Sequence, residues 1–382
     1  MPTDSDLRFQ LPVAFEHVCL SPAEEEEGSE NDVTQGEVIA GAGNKSSIRL
    51  WSSLIENGAT ELSNLLDVQR KGWKAESIDR HFAKQHKSTD NDPQKLSRAW
   101  FCRMRKLLGE IDSSLRCIPL DKVHFLDLGC SSGGFSSYIL SKNWRSTGCG
   151  VSLPIEEGGH EFLMSNPSER YRYTLFSGNI TKYALAPAAL NDPRFSPLPD
   201  AIDYPNKFNI VLLDAYQLRT QTERLRSERD RLLISQLIIA LKSVQPGGTI
   251  IMKLAIPHRI LPAKIVYMFK MISGEVQRWK PRTMHENRGK FYLVARDVGG
   301  SEETGLNQAT FLRALRRVWT ELTFGSKNGY GRILKTKDLD FVVTNRELAG
   351  DHIKWLVEFG NPLWEVQEAC LREHFEKKGI LS

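Results

Sequence analysis

The chain of 382 residues lacks the features of a secreted or membrane protein. Its six cysteines form no C-x-x-C pair and have no histidine partner at zinc-ligand spacing, so neither a disulfide scaffold nor a metal site is predicted. No apolar run reaches the roughly 20 residues that a membrane helix needs, and the first residues carry no basic-then-apolar signal. We therefore expect an intracellular, cytoplasmic or nuclear protein with reduced thiols and no membrane contact.

An excess of one charge is also missing. Lysine and arginine total 51 against 47 acidic residues, which leaves a formal net charge of only +4. An excess this small does not by itself indicate a nucleic-acid partner, so that case depends on where the basic residues lie. With 40% hydrophobic and 26% charged residues, the chain can bury a large core, which excludes a protein disordered throughout.

Three regions of different character follow one another along the chain. Residues 1–94 include an acidic run at 24–32 and few regularly spaced apolar positions, so we expect an N-terminal extension that is partly disordered. Residues 95–298 alternate short apolar runs with helical segments, which is typical of a mostly parallel sheet covered on both faces. Residues 299–382 show helical periodicity, which predicts a helical C-terminal region near the cleft.

The middle region predicts an α/β fold, a Rossmann-like sheet of about seven strands with helices on both faces. A helix is expected from residue 95, and the clearest helix covers 222–244, closed by Pro246-Gly247-Gly248. The strand runs are 123–128, 147–153, 171–176, 208–214, 249–254, 275–280 and 290–296.

A glycine-rich turn follows the first predicted strand. Residues 127–135 read D-L-G-C-S-S-G-G-F, a turn of small residues that opens a helix. Missing side chains let a ligand approach the backbone, and the helix N-terminus offers free N–H groups. The spacing differs from G-x-G-x-x-G because Ser131 and Ser132 hold the inner positions, which disfavours a nicotinamide dinucleotide. A tight turn without any ligand is the alternative.

Two further strand ends carry charged side chains, Asp214 after a buried run and Lys253 in G-G-T-I-I-M-K-L. Together D-L-G-x-x-x-G-G-F, L-L-D and G-G-x-x-x-x-K-L, in this order, resemble the FtsJ-like (RrmJ-like) family of S-adenosylmethionine-dependent RNA 2′-O-ribose methyltransferases. The resemblance covers about residues 95–298 and implies a class I methyltransferase sheet. Residues 150–160 and 231–241 are most similar to fungal FtsJ-like domain proteins.

The resemblance implies an active site of lysine, aspartate, lysine and glutamate. Asp214 and Lys253 match the aspartate and the central lysine, and Lys106 matches the first lysine best, with Arg103 or Arg105 as alternative occupants. A ribose hydroxyl that attacks a sulfonium methyl group must lose its proton, and an amine accepts that proton only when it is neutral. Burial and neighbouring positive charge favour the neutral amine.

The fourth position departs from the family pattern. Lys290 stands where family members commonly have glutamate, and Glu286 lies four residues earlier, too far to take its place without a shifted loop. A lysine here adds positive charge beside Lys253 but removes a carboxylate that would orient the amines. The alternative for Lys290 is an exposed lysine at the start of a strand.

The resemblance also implies the position of the cofactor, S-adenosylmethionine. The residues expected to hold it are those of the turn and its neighbour strand end: Asp127, Gly129, Cys130, Ser131, Ser132, Gly133, Gly134, Phe135 and Asp214. Ser132 replaces a usual proline. Ser152 stands where an acidic residue would bind the ribose, with Glu156 and Glu157 as substitutes nearby. Asn179, followed by Ile180, stands where the family often has an aspartate at the adenine, and its amide keeps one carbonyl acceptor.

Basic residues form three clusters, at Arg98, Arg103, Arg105 and Lys106, at Arg278, Lys280 and Arg282, and at Arg313, Arg316 and Arg317. The first two bracket the predicted cleft, where the phosphates of RNA would need neutralising. Trp279 would be able to stack on a base, whereas Trp100 lies on the apolar face and is predicted to be core. A solvated charged surface is the alternative for these clusters.

Three functions therefore stay open at this point. The first is methylation of RNA ribose, favoured by Asp214, Lys253 and the basic flanks. The second is methylation of a small molecule, favoured by the missing glutamate and the modest charge. The third is a protein that has lost catalysis and keeps the fold, and that binds S-adenosylmethionine or nothing.

Overall fold

The structure, a computed structural model, describes residues 50–73, 93–216, 226–326 and 331–381. Its strands are β1 (His124–Leu128), β2 (Thr147–Ser152), β3 (Tyr173–Ser177), β4 (Phe208–Leu213), β5 (Val244–Ala255), β6 (Ser273–Trp279) and β7 (Lys290–Val298). They form one seven-stranded sheet in the order β3-β2-β1-β4-β5-β7-β6. The predicted α/β fold is thereby confirmed.

The direction of β7 differs from that of the other strands. The pairs β1–β2, β1–β4, β2–β3 and β4–β5 are parallel, whereas β7 is antiparallel to both β5 and β6. The carboxyl ends of six strands and the amino end of β7 therefore lie at one edge of the sheet. We call this edge the carboxyl edge and the opposite one the amino edge.

Helices cover both faces of the sheet. They are α1 (Leu50–Glu56), α2 (Thr60–Trp73), α3 (Pro93–Leu115), α4 (Gly134–Lys142), α5 (Pro167–Tyr171), α6 (Asp200–Asp203), α7 (Arg226–Ser243), α8 (Ile260–Ile272), α9 (Glu302–Phe324), α10 (Asn345–Ala349) and α11 (Ile353–Lys377). Apolar residues of α3 and α4 pack on one face, and those of α7, α8 and α9 pack on the other. Among the described residues, no helix is both long and apolar enough to cross a bilayer.

The strand β5 begins earlier than the sequence predicts. Pro246, Gly247 and Gly248 were expected to close the preceding helix as a turn, but they belong to β5. The partner register with β4 shifts between Phe208 and Ile210, which shows that an irregularity in the ladder accommodates these residues. The preceding helix ends at Ser243, within one residue of its predicted end, and the proline and glycines that follow it lie at this irregularity of the strand.

The helices α1 and α2, from the predicted N-terminal extension, pack against the C-terminal helices. Leu54 and Leu62 are buried in a cluster with Leu356 and Trp364 of α11. The regularly spaced leucines of 50–73 provide the apolar face that we did not expect in this region. Residues 1–49 and 74–92 lie outside the described residues, so the predicted partial disorder stays a prediction.

The C-terminal region shares the core of the sheet. The Trp319 ring of α9 is fully buried, and its indole Nε1 donates a hydrogen bond of 2.9 Å to Ser235 Oγ of α7. The buried Lys264 amine of α8 donates to the carbonyl of Thr336 at 3.0 Å and pairs with Asp340. Because these contacts join the middle and C-terminal regions, we expect them to unfold together.

Candidate active site

Several polar side chains meet at the carboxyl edge. Asp127 lies in β1, Asp214 directly follows β4, and Lys253 lies near the end of β5. Lys290 begins the antiparallel β7, so it lies at the same edge, and Tyr292 pairs with Lys253 in the register. Because side chains alternate along a strand, Lys253, Lys290 and Tyr292 project toward the face covered by α3 and α4.

Asp214 is the centre of a buried group. The Lys253 Nζ atom lies 3.1 Å from Asp214 Oδ1, and the side chains of Lys253 and Asp214 are only 6% and 8% exposed. The hydroxyl of Tyr292 donates to the same Oδ1 atom at 2.8 Å. Burial and the carboxylate of Asp214 raise the pKa of Tyr292 well above its usual value, so this phenol stays protonated as a donor. The aspartate thus fixes the lysine and the tyrosine relative to each other.

The backbone after Asp214 is held by a side chain from α7. Gln236 accepts a hydrogen bond from the backbone N–H of Ala215 and donates one to its carbonyl, both at 3.0 Å. The Lys253 amine also donates to the backbone carbonyl of Asp214 at 3.3 Å. These contacts restrict the loop that carries the aspartate. Sequence reasoning missed Gln236, because its only signal was a polar residue within an apolar helix.

Lys290 is buried beside Tyr216. Only 2% of Lys290 is exposed, which excludes the alternative of a solvated lysine at a strand start. The amines of Lys290 and Lys253 lie 4.9 Å and 5.2 Å from the centroid of the Tyr216 ring, within the range of a cation–π contact. Burial lowers the pKa of Lys290 to about 8. One aromatic ring therefore covers two amines.

The loop 280–289 approaches the site from the side of β6. The Lys280 amine is buried, donates to the carbonyl of Lys290 at 2.8 Å and also bonds the carbonyl of Arg288. The carboxylate of Glu110, on α3, accepts from the backbone N–H of Thr283 at 2.9 Å. Lys280, expected to meet RNA phosphate, instead holds the start of β7.

Two other titratable residues lie in this loop. Glu286, the alternative to Lys290, lies in the loop and not on the strand. His285 is buried, and burial together with the positive charge of Lys253, Arg288 and Lys280 lowers its pKa well below the usual value. Its imidazole is therefore neutral at physiological pH.

Lys106 does not join the buried group. It is exposed, whereas Leu107 and Leu108 are buried, and Met104, two residues earlier, lines the recess beside the glycine-rich turn. Two residues correspond to about 200° around a helix, which directs Lys106 away from the sheet. The half-buried Arg103 lies on the same side of α3 as Glu110, seven residues on, and this side faces the 280–289 loop. Of the two alternatives, Arg103 is therefore better placed than Arg105, which is exposed.

The glycine-rich turn forms a small polar recess. Its lining residues are Met104, Asp127, Gly129, Cys130, Ser131, Ser132, Gly134, Phe135 and Asp214. Gly129 has φ of +86°, and a Cβ atom there would lie 2.4 Å from Ala215 Cα. Glycine is thus needed at this position for the turn to approach the loop that carries Asp214.

Two buried oxygen atoms of the recess have no hydrogen-bond partner among the described residues, Asp127 Oδ1 and Ser132 Oγ. The other carboxylate oxygen of Asp127 accepts from Ser136 Oγ at 2.7 Å. Burial raises the pKa of Asp127 to about 7, an effect that the Ser136 hydrogen bond opposes and the charge of Asp214 increases. A polar ligand would satisfy the unpaired oxygens.

The expected adenine and ribose contacts are arranged differently. Asn179 Oδ1 accepts from both the backbone N–H and the hydroxyl of Thr181, so it caps the short helix 180–182 that begins with the buried Ile180. Its amide nitrogen donates to Glu157 at 3.3 Å. The carbonyl oxygen of Asn179 thus already accepts two hydrogen bonds within the chain, and its role at the adenine stays a prediction. Ser152 is buried at the end of β2, and Glu157, unlike the exposed Glu156, turns back toward Asn179.

The strand order, with an antiparallel β7 between β5 and β6, is that of the Rossmann-like methyltransferases, which transfer a methyl group from S-adenosylmethionine. Residues 97–298 match the FtsJ-like methyltransferase family. This match covers more than half of the chain, which therefore belongs to the FtsJ-like methyltransferase family.

Two solved structures are similar to the chain. One is assigned as an O-methyltransferase from Nostoc punctiforme PCC 73102, with 14% identity and a TM-score of 0.33. The match covers 53% of this chain and 59% of that protein, so the chain spans less than two thirds of that protein's length. The other is assigned as a spermidine synthase from Corynebacterium glutamicum ATCC 13032, with 12% identity and a TM-score of 0.30, covering 64% of this chain and 77% of that one. No curated protein matches the chain in sequence.

The recess fits the polar end of S-adenosylmethionine. Gly129, Cys130 and Ser131 of the turn line the recess, and the unpaired oxygens of Asp127 and Ser132 provide hydrogen-bonding groups. When bound, S-adenosylmethionine supplies a methyl group on a positively charged sulfur. Asp127 and Asp214 are the two acidic side chains in the lining of the recess.

Replacing Gly133 by valine should weaken S-adenosylmethionine binding about tenfold or more, because unfavourable backbone conformations cost about 1–3 kcal/mol. Gly133 has φ of +101°, and a Cβ atom there would lie 3.0 Å from the Phe162 ring. Calorimetric titration measures the change. The matched control is Gly58→Val, with φ of +95° and no atom within 4 Å of the added Cβ. Equal affinities of both variants would contradict a cofactor position over this turn.

In the parent protein, Asp127 should make the free energy of unfolding decrease as the pH rises. Replacing Asp127 by asparagine should remove this decrease. The folded-state pKa of about 7 exceeds the usual 3.8, so the protonated carboxyl stabilises the fold fully below about pH 4 and this contribution is lost as the pH rises through about 7. Relative to the parent, Asp127→Asn should gain on the order of 2–4 kcal/mol between these limits. Urea unfolding across the pH range measures the difference, with Asp121→Asn as an exposed control. Parallel pH profiles for parent and Asp127→Asn would show that the pKa of Asp127 is the same in the folded and unfolded chains, which contradicts its raised pKa.

Proposed function

We propose that this FtsJ-like methyltransferase methylates the ribose 2′-hydroxyl of RNA. The observation that supports the proposal most is the buried Asp214–Lys253 pair at 3.1 Å beside the cofactor recess. An amine at this place is suited to take the proton of a hydroxyl that attacks the methyl group. A carboxylate in contact with that amine is suited to orient it.

The contacts of these residues support the following roles. Asp214, held by Tyr292 and by the Gln236 clamp on Ala215, positions the Lys253 amine. Lys253, in its neutral form, receives the proton from the substrate hydroxyl. Lys290 contributes a second amine in place of the family glutamate, and its burial under Tyr216 favours a partly neutral form.

Exposed basic residues next to the cleft support an RNA substrate. Arg98, Arg105 and Lys106 are exposed on α3, so this cluster is available for phosphate contacts. Arg278 supports an RNA substrate less, because its guanidinium donates a hydrogen bond to the carbonyl of Glu358. This carbonyl lacks the usual helical donor because Pro362, four residues further on, has no N–H. We propose phosphate contacts through α3, and we extend the proposal to a relationship with fungal FtsJ-like domain proteins.

One observation favours methylation of a small molecule as a second function. Lys290 replaces the glutamate, so the site carries two amines and would suit an acceptor with an acidic group. The third alternative, loss of catalysis, is separated from both by the assay itself. Transfer of radioactive methyl groups to transcribed RNA, followed by nuclease digestion and chromatography of the nucleosides, would identify 2′-O-methylated products. Binding of S-adenosylmethionine without transfer to RNA or small hydroxylated acids would support lost catalysis.

Replacing Lys290 by glutamate should distinguish the first two functions, because it should raise the activity on RNA and lower the activity on a small acidic acceptor. For RNA, Lys290→Glu restores an orienting carboxylate beside Lys253 and should raise ribose methylation about 10-fold or more. For a small acidic acceptor, the same change replaces attraction by repulsion and should lower turnover by a similar factor. Lys290→Met, which keeps the length without the charge, is the control. If Asp214→Ala removes activity while Lys290→Glu leaves it unchanged, Lys290 has no part in the reaction.

A further inference from the structure

The amino edge of the sheet carries a row of large exposed side chains. Tyr171, Trp144, Leu120 and Tyr204 are 93%, 75%, 80% and 66% exposed. They precede β3, β2, β1 and β4, which are neighbours in that order. We call these four residues the amino-edge row. It lies at the opposite end of the strands from Asp214 and Lys253, so the proposed active site does not explain it.

The backbone that carries the row is firmly held. Arg172 donates to the carbonyls of Asn143 and Ser146 at 3.0 and 2.9 Å, which joins the loops before β2 and β3. The Asn143 side chain donates to the carbonyl of Leu120 at 2.5 Å, which joins the loops before β2 and β1. Tyr171, Trp144 and Leu120 therefore project from loops that hydrogen bonds join to one another. A group of exposed apolar side chains on a fixed frame indicates an interaction site.

Cations accompany the rings. The Arg145 guanidinium lies 5.2 Å from the Trp144 ring centroid, and the Lys207 amine lies 5.8 Å from that of Tyr204. Lys122 is exposed in the loop before β1. Of the nearby carboxylates, Asp203 pairs with Lys242 at 2.5 Å, and Asp121 is exposed between Leu120 and Lys122. The row thus combines aromatic faces with positive charge.

The electrostatic effect of these cations reaches the sheet. Burial lowers the pKa of His124, in β1, and the positive charges of Lys207 and Lys122 lower it further. A ligand that brings negative charge to this edge would be attracted by Lys207 and Lys122. The cations favour a polyanion, and the exposed rings of Tyr171, Trp144 and Tyr204 favour a ligand whose own flat rings stack on them.

We propose that the amino-edge row binds a short single-stranded stretch of RNA, with bases stacked on Tyr171, Trp144 and Tyr204. Stacking on aromatic rings beside cations is how proteins hold single strands without reading their sequence. Strands lie about 4.8 Å apart, so the row is about 14 Å long, enough for a few nucleotides. A stable protein partner would need roughly 800 Å² on each side, more than a row of this length provides.

The proposal extends the proposed function by giving the substrate RNA a second contact, and its test measures binding alone. A fluorescent single-stranded RNA of about ten nucleotides is titrated with the full chain, and anisotropy gives the dissociation constant. Trp144→Ala and Tyr171→Ala should each weaken binding by about 5- to 100-fold, and Trp144→Phe should restore most of it. Leu306→Ala and Leu190→Ala, at exposed apolar residues outside the row, are the controls and should leave the affinity unchanged.

An abasic oligomer of the same length tests whether the bases matter, since it keeps the phosphates and offers no rings. It should bind at least tenfold more weakly than the RNA. Equal binding of both oligomers, equal loss in row and control variants, or no RNA binding by the parent would each overturn the proposal. Methyl transfer is assayed separately on the same variants. Loss of binding to the row with retained transfer to a mononucleotide would leave the proposed function intact.

Discussion

Replacing Lys253 by alanine should lower the rate of methyl transfer by about 10²- to 10⁴-fold, because removal of a positioned proton acceptor has effects of this size. The affinity for S-adenosylmethionine should stay within a few-fold, since Lys253 is not among the residues lining the recess at the glycine-rich turn. Single-turnover kinetics give the rate, and calorimetry gives the affinity. Residual activity that rises with pH would identify hydroxide as the remaining acceptor.

Two further variants interpret this result. Lys270→Ala removes a lysine near Trp355, outside the carboxyl edge, and should leave the rate unchanged. Tyr292→Phe removes the 2.8 Å hydrogen bond to Asp214 and should lower the rate by a smaller factor, because Asp214 keeps its contact with Lys253. Full turnover by Lys253→Ala would mean that another group accepts the proton, with Lys290 as the nearest second amine over Tyr216.

Replacing Trp319 by alanine should lower the free energy of unfolding by about 3–5 kcal/mol, the usual cost of removing a large buried aromatic side chain. The ring is fully buried against Phe195 and Phe324, and its N–H bonds to Ser235, which would lose its partner. Urea unfolding followed by circular dichroism measures the change. The control is Trp144→Ala, at a 75% exposed tryptophan, which should change stability by less than about 0.5 kcal/mol.

The same experiment tests the division at residue 299 that the sequence predicts. If 299–382 were an independent domain, Trp319→Ala would shift one of two transitions and leave the other in place. The shared core predicts a single transition that moves as a whole. Two separated transitions in the parent protein would contradict that shared core.

The sheet and the position of the glycine-rich turn could be predicted from the sequence because they depend on local patterns. Buried parallel strands such as β1 and β4 are short continuous apolar runs, and each of the seven predicted runs corresponds to a strand, including the more polar β6. The residues that directly follow or end such runs, Asp214 and Lys253, must then lie at one edge. Their proximity follows from topology, without knowledge of side-chain contacts.

The roles predicted for Lys106 and Asn179 come from the family pattern. Local features of the sequence indicate a solvent-exposed side chain for Lys106 and a helix cap for Asn179. The apolar positions Met104, Leu107 and Leu108 define the buried side of α3 and direct Lys106 to solvent. Asn179 is followed by Ile180 and Thr181, a spacing typical of an asparagine that caps a short helix through its carbonyl oxygen. Both signals were present in the sequence.

Other contacts could not have been predicted from one sequence. Glu110 accepts from the backbone of Arg282 and Thr283, more than 170 residues further along the chain. Lys280 bonds the carbonyl of Lys290 across a loop whose length does not determine its path. Such contacts depend on how helices dock on the sheet, which periodicity does not encode.

The reversed direction of β7 makes one part of the site depend on strand register. A one-residue slip of β7 against β5 would turn Lys290 to the opposite face of the sheet and bring the ring of Phe291 toward Asp214. A slip of two residues would keep Lys290 and Tyr292 on the same face as Lys253 but would place a different residue of β7 opposite Lys253 in place of Tyr292. Insertions in the 280–289 loop are therefore tolerated only if the ladder from Lys290 to Val298 keeps its alignment. The chemistry at this position thus depends on the alignment of the β6–β7 hairpin. Insertion or deletion of a single loop residue that shifts this alignment is enough to alter the chemistry, without any substitution in the site.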